Sequence, residues 1–166
     1  LEVFHTDFTE LVYAGGKAYL MPLVDHASKV VPGWAVGPPA DTELALAAWR
    51  RARRWLERRG YSVAERIVHH DQDGVYTGYG WTGELLLRDH VRLSYALDGC
   101  RDNPEMESFN SRFKSENRSL LLDATSLADL VRVVGQRITY YNRRRRHSAL
   151  GNVAPLAWLA SHRPES

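Results

Sequence analysis

The chain is short of cysteine, of lysine and of long apolar runs. One cysteine, Cys100, among 166 residues excludes an internal disulfide and fits a reducing compartment such as the cytosol. No apolar run approaches the roughly 18 residues that a membrane span needs. No basic-then-apolar leader opens the chain, so neither secretion nor a membrane partner is expected. Lysine occurs only at Lys17, Lys29 and Lys114, so arginine carries nearly all the positive charge. No serine or cysteine is set up as a nucleophile by its neighbours, which argues against a covalent protein intermediate.

What is present suits one domain with a proper core. The net charge of +2 says little about partners, but its distribution says more. Arg50, Arg51, Arg53, Arg54, Arg58 and Arg59 fall within ten positions, and Arg143, Arg144, Arg145 and Arg146 stand in a row after Tyr140-Tyr141-Asn142. Such clusters can neutralise phosphates. A G+C-rich genome would also favour arginine, and the first cluster reads equally well as a solvated helix face. The second is denser and points to a polyanion.

Residues 2–8, 17–25 and 29–37 read as strands with short connections, hence an antiparallel meander. Pro32-Gly33 inside the third implies a bulge or an edge position. After Pro38-Pro39, Asp41 or Thr42 can cap a helix whose Ala45, Ala48, Trp49, Ala52, Trp55 and Leu56 share one face, and Gly60 ends it. A short strand over 65–71, a helix within 79–89 and a strand over 91–96 follow. Cys100 to Asn103 reads as a loop. Pro104 opens a helix with Asn103 as its cap. A long amphipathic helix starts near Ser126, and Pro155 starts a short terminal piece. Strands and helices in this order imply a mixed sheet with flanking helices rather than a regular βαβ array.

Three acids sit where such a sheet could bring them together. Asp7 lies in the first strand, Asp71 at the end of "RIVHH", and Glu107 in the first turns of the helix that Pro104 opens. Each alone is an ordinary surface acid. Thirty-five residues separate Asp71 from Glu107. At about 100° per residue, Ser111 and Lys114 return to within about 40° of Glu107, and Asn110 to about 60°. Glu105 and Glu116 lie about 160° to 180° round, so neither can point where Glu107 points. His69 and His70 are neighbours in a strand and face opposite ways, which argues against a shared transition metal.

The segments "HTDFTE", "HHDQDGVYTGYGW", "DNPEMESFNSRFKSE" and "YYNRRRRHSALG" resemble the DDE transposases of bacterial insertion sequences, in particular the catalytic core of the OrfB type. The resemblance spans about residues 3 to 159. It implies an RNase H-like, retroviral-integrase-like fold: an α/β domain with a five-stranded mixed sheet flanked by helices, filling residues 1–166. It implies Asp7, Asp71 and Glu107 as the catalytic and metal-binding triad, holding Mg²⁺ or Mn²⁺, with two ions when DNA is bound. Oxygen ligands of this kind suit such hard cations. It also implies DNA contacts from Lys114, Asn110, Ser111 and Arg143 to Arg146.

The implied activity is phosphodiester cleavage followed by strand transfer by a DNA 3′-OH. The implied partners are transposon ends, target DNA and a second copy of the chain, with no small-molecule substrate, in the bacterial cytoplasm at the nucleoid. The family carries its end-recognition region upstream, so this chain is expected to be the core alone. Two other readings stay open: a nuclease of the same fold that cuts without joining, and a decayed copy that only binds DNA. The chain departs from the family at His70, usually serine, at Asp73, often glycine, and at Glu10, more often aromatic. The change at Asp73 makes that acid a possible competitor for metal.

Overall fold

A computed structural model describes residues 1–97 and 102–162; Cys100 and most of the loop expected around it lie outside them. The chain runs β1 (Val3–Thr6), β2 (Thr9–Tyr13), β3 (Gly16–Asp25), β4 (Gly33–Gly37), α1 (Thr42–Glu57), β5 (Ile67–His70), α2 (Gly74–Thr77), α3 (Tyr79–Thr82), a π-helical segment (Gly83–Arg88) and β6 (Arg92–Tyr95). It continues with α4 (Pro104–Glu116), α5 (Arg118–Asp123), α6 (Leu127–Arg143), a 3₁₀ turn (Ser148–Leu150) and α7 (Pro155–Ser161). No helix among the described residues is long and apolar enough to cross a membrane.

The first expected strand proves to be two. β1 and β2 both pair antiparallel with β3, and the register is the same on either side of the break, with Thr6 opposite Leu23 and Thr9 opposite Leu20. They are one strand interrupted at Asp7 and Phe8. The Phe8 amide turns to its neighbour, donating to Asp7 Oδ1 at 2.8 Å. Side-chain acceptors that capture a nearby amide compete in this way with a sheet ladder. Counting β1 and β2 as one, the sheet has five strands in the order β4, β3, β1/β2, β5, β6, with only β3 running antiparallel to the rest.

Residues 29–32, expected as strand, lie outside the ladder between β3 and β4, although the Val30 carbonyl accepts from the Asp25 amide at 2.8 Å. Lys29 takes a left-handed backbone (φ 60°), and Val31 finds its partner in a side chain. The Asn142 amide donates to the Val31 carbonyl and accepts from its N–H, both at 2.9 Å. Beyond this point β4 is an edge strand, as Pro32-Gly33 implied. Gly33 is required there: a Cβ would stand 2.4 Å from the Ala48 carbonyl of α1.

Two apolar layers enclose the sheet. α1, α2 and α3 cover one face with Trp49, Leu56, Tyr76, Trp81 and Leu85, against Phe4, Leu23 and Val68. α4, α5 and α6 cover the other with Met106, Phe109, Phe113, Leu130 and Val134, against Leu11, Leu20 and Val24. The α1 arginines do not behave as one solvated face. Arg53 donates to Asp89 (2.9 Å), which also accepts from Trp49 Nε1 (2.7 Å), and Arg50 reaches Glu84 at 3.3 Å.

Candidate active site

The site is assembled by register. β1 and β5 pair in parallel with His5 opposite His69. Two residues on, the same register sets Asp7 beside Asp71, at the carboxyl ends of adjacent parallel strands. That is where open α/β sheets present their ligands. Alternation along both strands sends the two carboxylates to the α4 side.

Their proximity has an electrostatic signature. Burial, and then the neighbouring Asp71 charge, push the Asp7 carboxyl up to about 6, against the pull of the Phe8 amide. Asp71 Oδ1 accepts from the Asp73 amide at 2.9 Å. Asp73 is spent on local structure: its Oδ1 caps α2 by accepting from Val75 N at 2.9 Å.

α4 supplies the third acid. Pro104 sits in its first turn, and Phe109 and Phe113, stacked with centroids 5.7 Å apart, bury the flank that fixes its rotation. Asn103 precedes Pro104, but its side chain does not cap the helix as expected. It ties α4 to β1, donating to the Thr6 carbonyl and accepting from His5 Nδ1–H, each at 3.2 Å. With that rotation Glu107, Asn110, Ser111 and Lys114 line one open cleft of about 880 Å³ together with Asp7. Glu105 faces elsewhere and pairs with Lys29 at 2.9 Å. Glu116 pairs with Arg145, accepting from its Nε at 2.7 Å. Asn110 is buried, and its side-chain oxygen has no hydrogen-bond partner among the described residues.

The two histidines before Asp71 divide as the strand period requires. His70 is fully buried, stacked on Tyr76 with centroids 4.5 Å apart. Its Nδ1–H donates to the Asp71 carbonyl (2.8 Å) and its Nε2 accepts from Trp81 Nε1 (3.2 Å), so burial holds it neutral in one tautomer. The imidazole therefore fastens the backbone of Asp71 to the core. Tyr76 lies beneath the acids, its buried hydroxyl beside that of Thr6, which donates to the Pro22 carbonyl at 2.8 Å. His69 is on the α4 side, accepting from Ser94 Oγ and donating to the Asp102 carbonyl, both at 2.9 Å.

The donor set can be tested against a divalent cation. Two carboxylates are held together, with no lysine or arginine paired to either among the described residues, and Asp7 is driven towards its protonated form by burial and then by the Asp71 charge. Hard oxygen donors with unrelieved mutual repulsion suit Mg²⁺, which commonly takes one or two carboxylates and completes its shell with water. Among the described residues no three His, Cys, Asp or Glu side chains converge on a single point, so Glu107 shares the cleft with Asp7 without closing a three-ligand cage. The residues fit a two-carboxylate ion with a third acid in reach of the same cleft.

The arginines expected at the end of the last long helix do not line the cleft. Arg143 turns to a groove on the far edge of the sheet, Arg145 is engaged by Glu116, and Arg144 and Arg146 are exposed. The grouping of Arg143 with the α1 arginines was invisible in the sequence, where 83 residues separate it from Arg59, the nearest other arginine lining that groove.

Known proteins resemble this chain in sequence and in fold. Residues 95–155 match the family described as the integrase core domain. The chain is 31% identical over 158 residues to the transposase InsF of insertion sequence IS3fB from Escherichia coli, covering 90% of this chain and 50% of that protein. It is 29% identical over 160 residues to a probable transposase of element IS1353 from Shigella flexneri, covering 92% of this chain and 29% of that protein. The chain thus spans half or less of the curated relatives it matches. In fold it is similar to the catalytic core of HTLV-2 integrase, solved in complex with magnesium, with a TM-score of 0.72 at 16% identity over 94% of each chain. The core of BIV integrase superposes with a TM-score of 0.69 at 14% identity, covering 96% of this chain and 95% of that one. Residues 95–155 thus match an integrase core domain, and the chain is related in sequence to the transposases of bacterial insertion sequences and similar in fold to the catalytic cores of retroviral integrases.

Proposed function

We propose that the chain is the catalytic core of a DNA transposase, cleaving a phosphodiester bond at a transposon end and joining the resulting 3′-OH to target DNA. The observation that supports this reading is that Asp7 and Asp71 follow the ends of adjacent parallel strands, near enough for the Asp71 charge to act on Asp7, with Glu107 lining the same cleft as Asp7. Asp7, Asp71 and Glu107 would hold Mg²⁺ or Mn²⁺, two ions when DNA is bound, supplying charge neutralisation at the attacked phosphate and an activated water or 3′-hydroxyl.

The chain's own side chains do the rest. Lys114, which makes no ion pair among the described residues, brings a cation to the phosphate next to the reacting one. Ser111 can donate to a phosphate oxygen. Asn110 lines the same cleft, with its side-chain oxygen buried behind the surface. The buried Phe109 and Phe113 hold these groups at a fixed rotation, and such preorganisation is how a site stabilises charge that develops in the transition state. Two copies of the core act together, because two DNA ends must be joined, and they do so at the bacterial nucleoid.

The test is a labelled-oligonucleotide assay with the 166-residue chain and Mg²⁺ or Mn²⁺, scored for cut and joined products. Metal-dependent joined product supports the transposase. Cut product alone, under conditions where joining substrates are in excess, replaces it with a nuclease of the same fold. Binding without either product leaves only a DNA-binding protein.

A further inference from the structure

Three histidines that stand far apart in the sequence gather near the start of α4. The ring centroid of His5, in β1, lies 5.2 Å from that of His26, just past the end of β3, and 5.3 Å from that of His69 in β5. The proton on His5 can be placed. Asn103 donates its Nδ2–H to the Thr6 carbonyl, so Oδ1 is the end of its amide that meets His5, and His5 Nδ1 carries the hydrogen between them. His5 Nε2 is then a bare lone pair, and it faces His26 Nδ1 at 3.1 Å. Burial holds the His5 pKa down to about 4, so the ring is neutral near pH 7. His69 takes no part in this pairing, because its nitrogens are engaged by Ser94 Oγ and the Asp102 carbonyl.

The contact between His5 and His26 has two uses. With a proton on His26 Nδ1 it is a hydrogen bond. With that proton on the other ring nitrogen of the half-exposed His26, two lone pairs face one gap. Nitrogens bound at about 2.0–2.1 Å to a tetrahedral ion stand roughly 3.3 Å apart, so the gap is short of ligand spacing by a few tenths of an ångström only. Glu105 supplies a third donor. Its Oε2 is held by Lys29 at 2.9 Å, which leaves Oε1 facing His26 Nδ1 at 3.9 Å. The three groups do not converge on one point as they stand. Closing Oε1 by roughly half an ångström brings it to the same ligand spacing. The supports of a metal site are already in place: Asn103 fixes the tautomer of His5, and Lys29 orients the carboxylate. Two imidazoles with one carboxylate suit Zn²⁺ and its neighbours, whereas Mg²⁺ prefers oxygen alone.

We propose that His5, His26 and Glu105 form a second metal site, taking a nitrogen-seeking divalent cation of the Zn²⁺ type and separate from the carboxylate pair of Asp7 and Asp71. Water fills the fourth position. The ion ties together β1, the turn after β3 and the first turn of α4. It thereby fastens the helix that carries Glu107 to the strand that leads into Asp7, alongside the tie that Asn103 already makes. The inference does not rest on the reading of the chain as a DNA enzyme, since an ion at this place stiffens the fold whatever the cleft acts on.

The experiment is calorimetric titration of Zn²⁺ into the untagged 166-residue chain near neutral pH. Mg²⁺ is kept in excess to occupy the aspartates, and a Cys100→Ser background removes the one thiol. Co²⁺ is titrated in parallel, because its visible absorption reports tetrahedral coordination. Thermal melting without Zn²⁺ or Co²⁺ establishes that each variant is folded. The parent should bind one Zn²⁺ and melt at a higher temperature with it. His26→Ala, a change at an exposed position, should bind at least tenfold more weakly, lose the Co²⁺ absorption and gain no melting temperature from Zn²⁺. Glu105→Gln should weaken binding several-fold. Asp7→Asn, and His162→Ala at an exposed position elsewhere, should keep the parent's affinity. A parent that takes up no Zn²⁺ at micromolar concentration, or a His26→Ala variant that binds as the parent does, overturns the site. If Asp7→Asn loses the ion and His26→Ala keeps it, Zn²⁺ sits on the aspartates; the second site then falls while the reading of the cleft as a metal site stands. Unchanged binding by Glu105→Gln overturns the three-ligand assignment.

Discussion

Glu105, Glu107 and Glu116 share one helix but not one environment, and the difference predicts which of them matters. Glu105 has Lys29 and Glu116 has Arg145, while Glu107 is exposed on the cleft wall beside Asn110, Ser111 and Lys114. Glu107→Gln should abolish metal-dependent DNA cleavage with an unchanged melting temperature. Glu105→Gln and Glu116→Gln should stay within a few-fold of the parent rate and lose at most about 1 kcal/mol of stability, the usual worth of a surface ion pair. A dead Glu105→Gln beside an active Glu107→Gln would mean that the rotation of α4 is wrong.

Asp7 offers a test by pH. Its folded pKa of about 6 lies above the 3.8 of a free aspartate. Between those values the folded chain keeps a proton that the unfolded chain has released, so this group's contribution to stability falls as pH rises through that window and stays lost above it. Without metal, Asp7→Asn should therefore stabilise the fold at pH 8 by roughly 1–3 kcal/mol and do almost nothing below pH 4. Millimolar Mg²⁺ should raise the melting temperature of the parent at pH 8 and leave that of Asp7→Asn nearly unmoved. Equal metal stabilisation of both proteins would remove Asp7 from the ion's shell.

Among the elements, α1, α4 and α6 were legible in the sequence because each carries a start signal and a helical apolar stripe: Asp41 before Leu44 and Ala45, Pro104 before Phe109 and Phe113, Ser126 before Leu130 and Val134. The spacing of Asp71 and Glu107 was legible too. What the sequence hid depends on partners far along the chain. The first strand was read as ending at Phe8, yet it resumes as β2 after the Asp7 carboxylate has captured the Phe8 amide. α5 is six residues of "RSLLLD", too short to display a helical period. Val30 and Val31 are β-branched and apolar, but a left-handed Lys29 keeps them out of the ladder, and Asn142 bonds Val31 as a strand would have. Asn142→Ala should leave the buried N–H and C=O of Val31 without partners and cost about 2–4 kcal/mol in urea unfolding, from two lost hydrogen bonds and two stranded groups. A loss under 1 kcal/mol would mean that water reaches Val31. Asn103 teaches the same lesson at the site: a helix-cap position was evident, but its use as a tie between α4 and β1 was not.

At the scale of the whole molecule, the acids and the arginine groove stand on different parts of the sheet. The acids lie at the ends of β1 and β5, and the arginine groove lies across β4. If two cores act together on two DNA ends, sedimentation of the chain at high micromolar concentration should give a dimer, and a strict monomer there would count against paired action. The parallel register between β1 and β5 also says what kinds of length change this domain can absorb in its evolution. Inserted residues in the α1–β5 connection leave His5 opposite His69, because pairing between strands, not the count of residues between them, brings the two aspartates together. A single residue gained or lost inside β1 does the opposite. It slides Asp7 by about 3.3 Å along the strand and turns its side chain towards the face of Phe4 and Tyr76. Natural relatives should therefore vary freely in length around α1 and hardly at all within the few residues that lead into each aspartate.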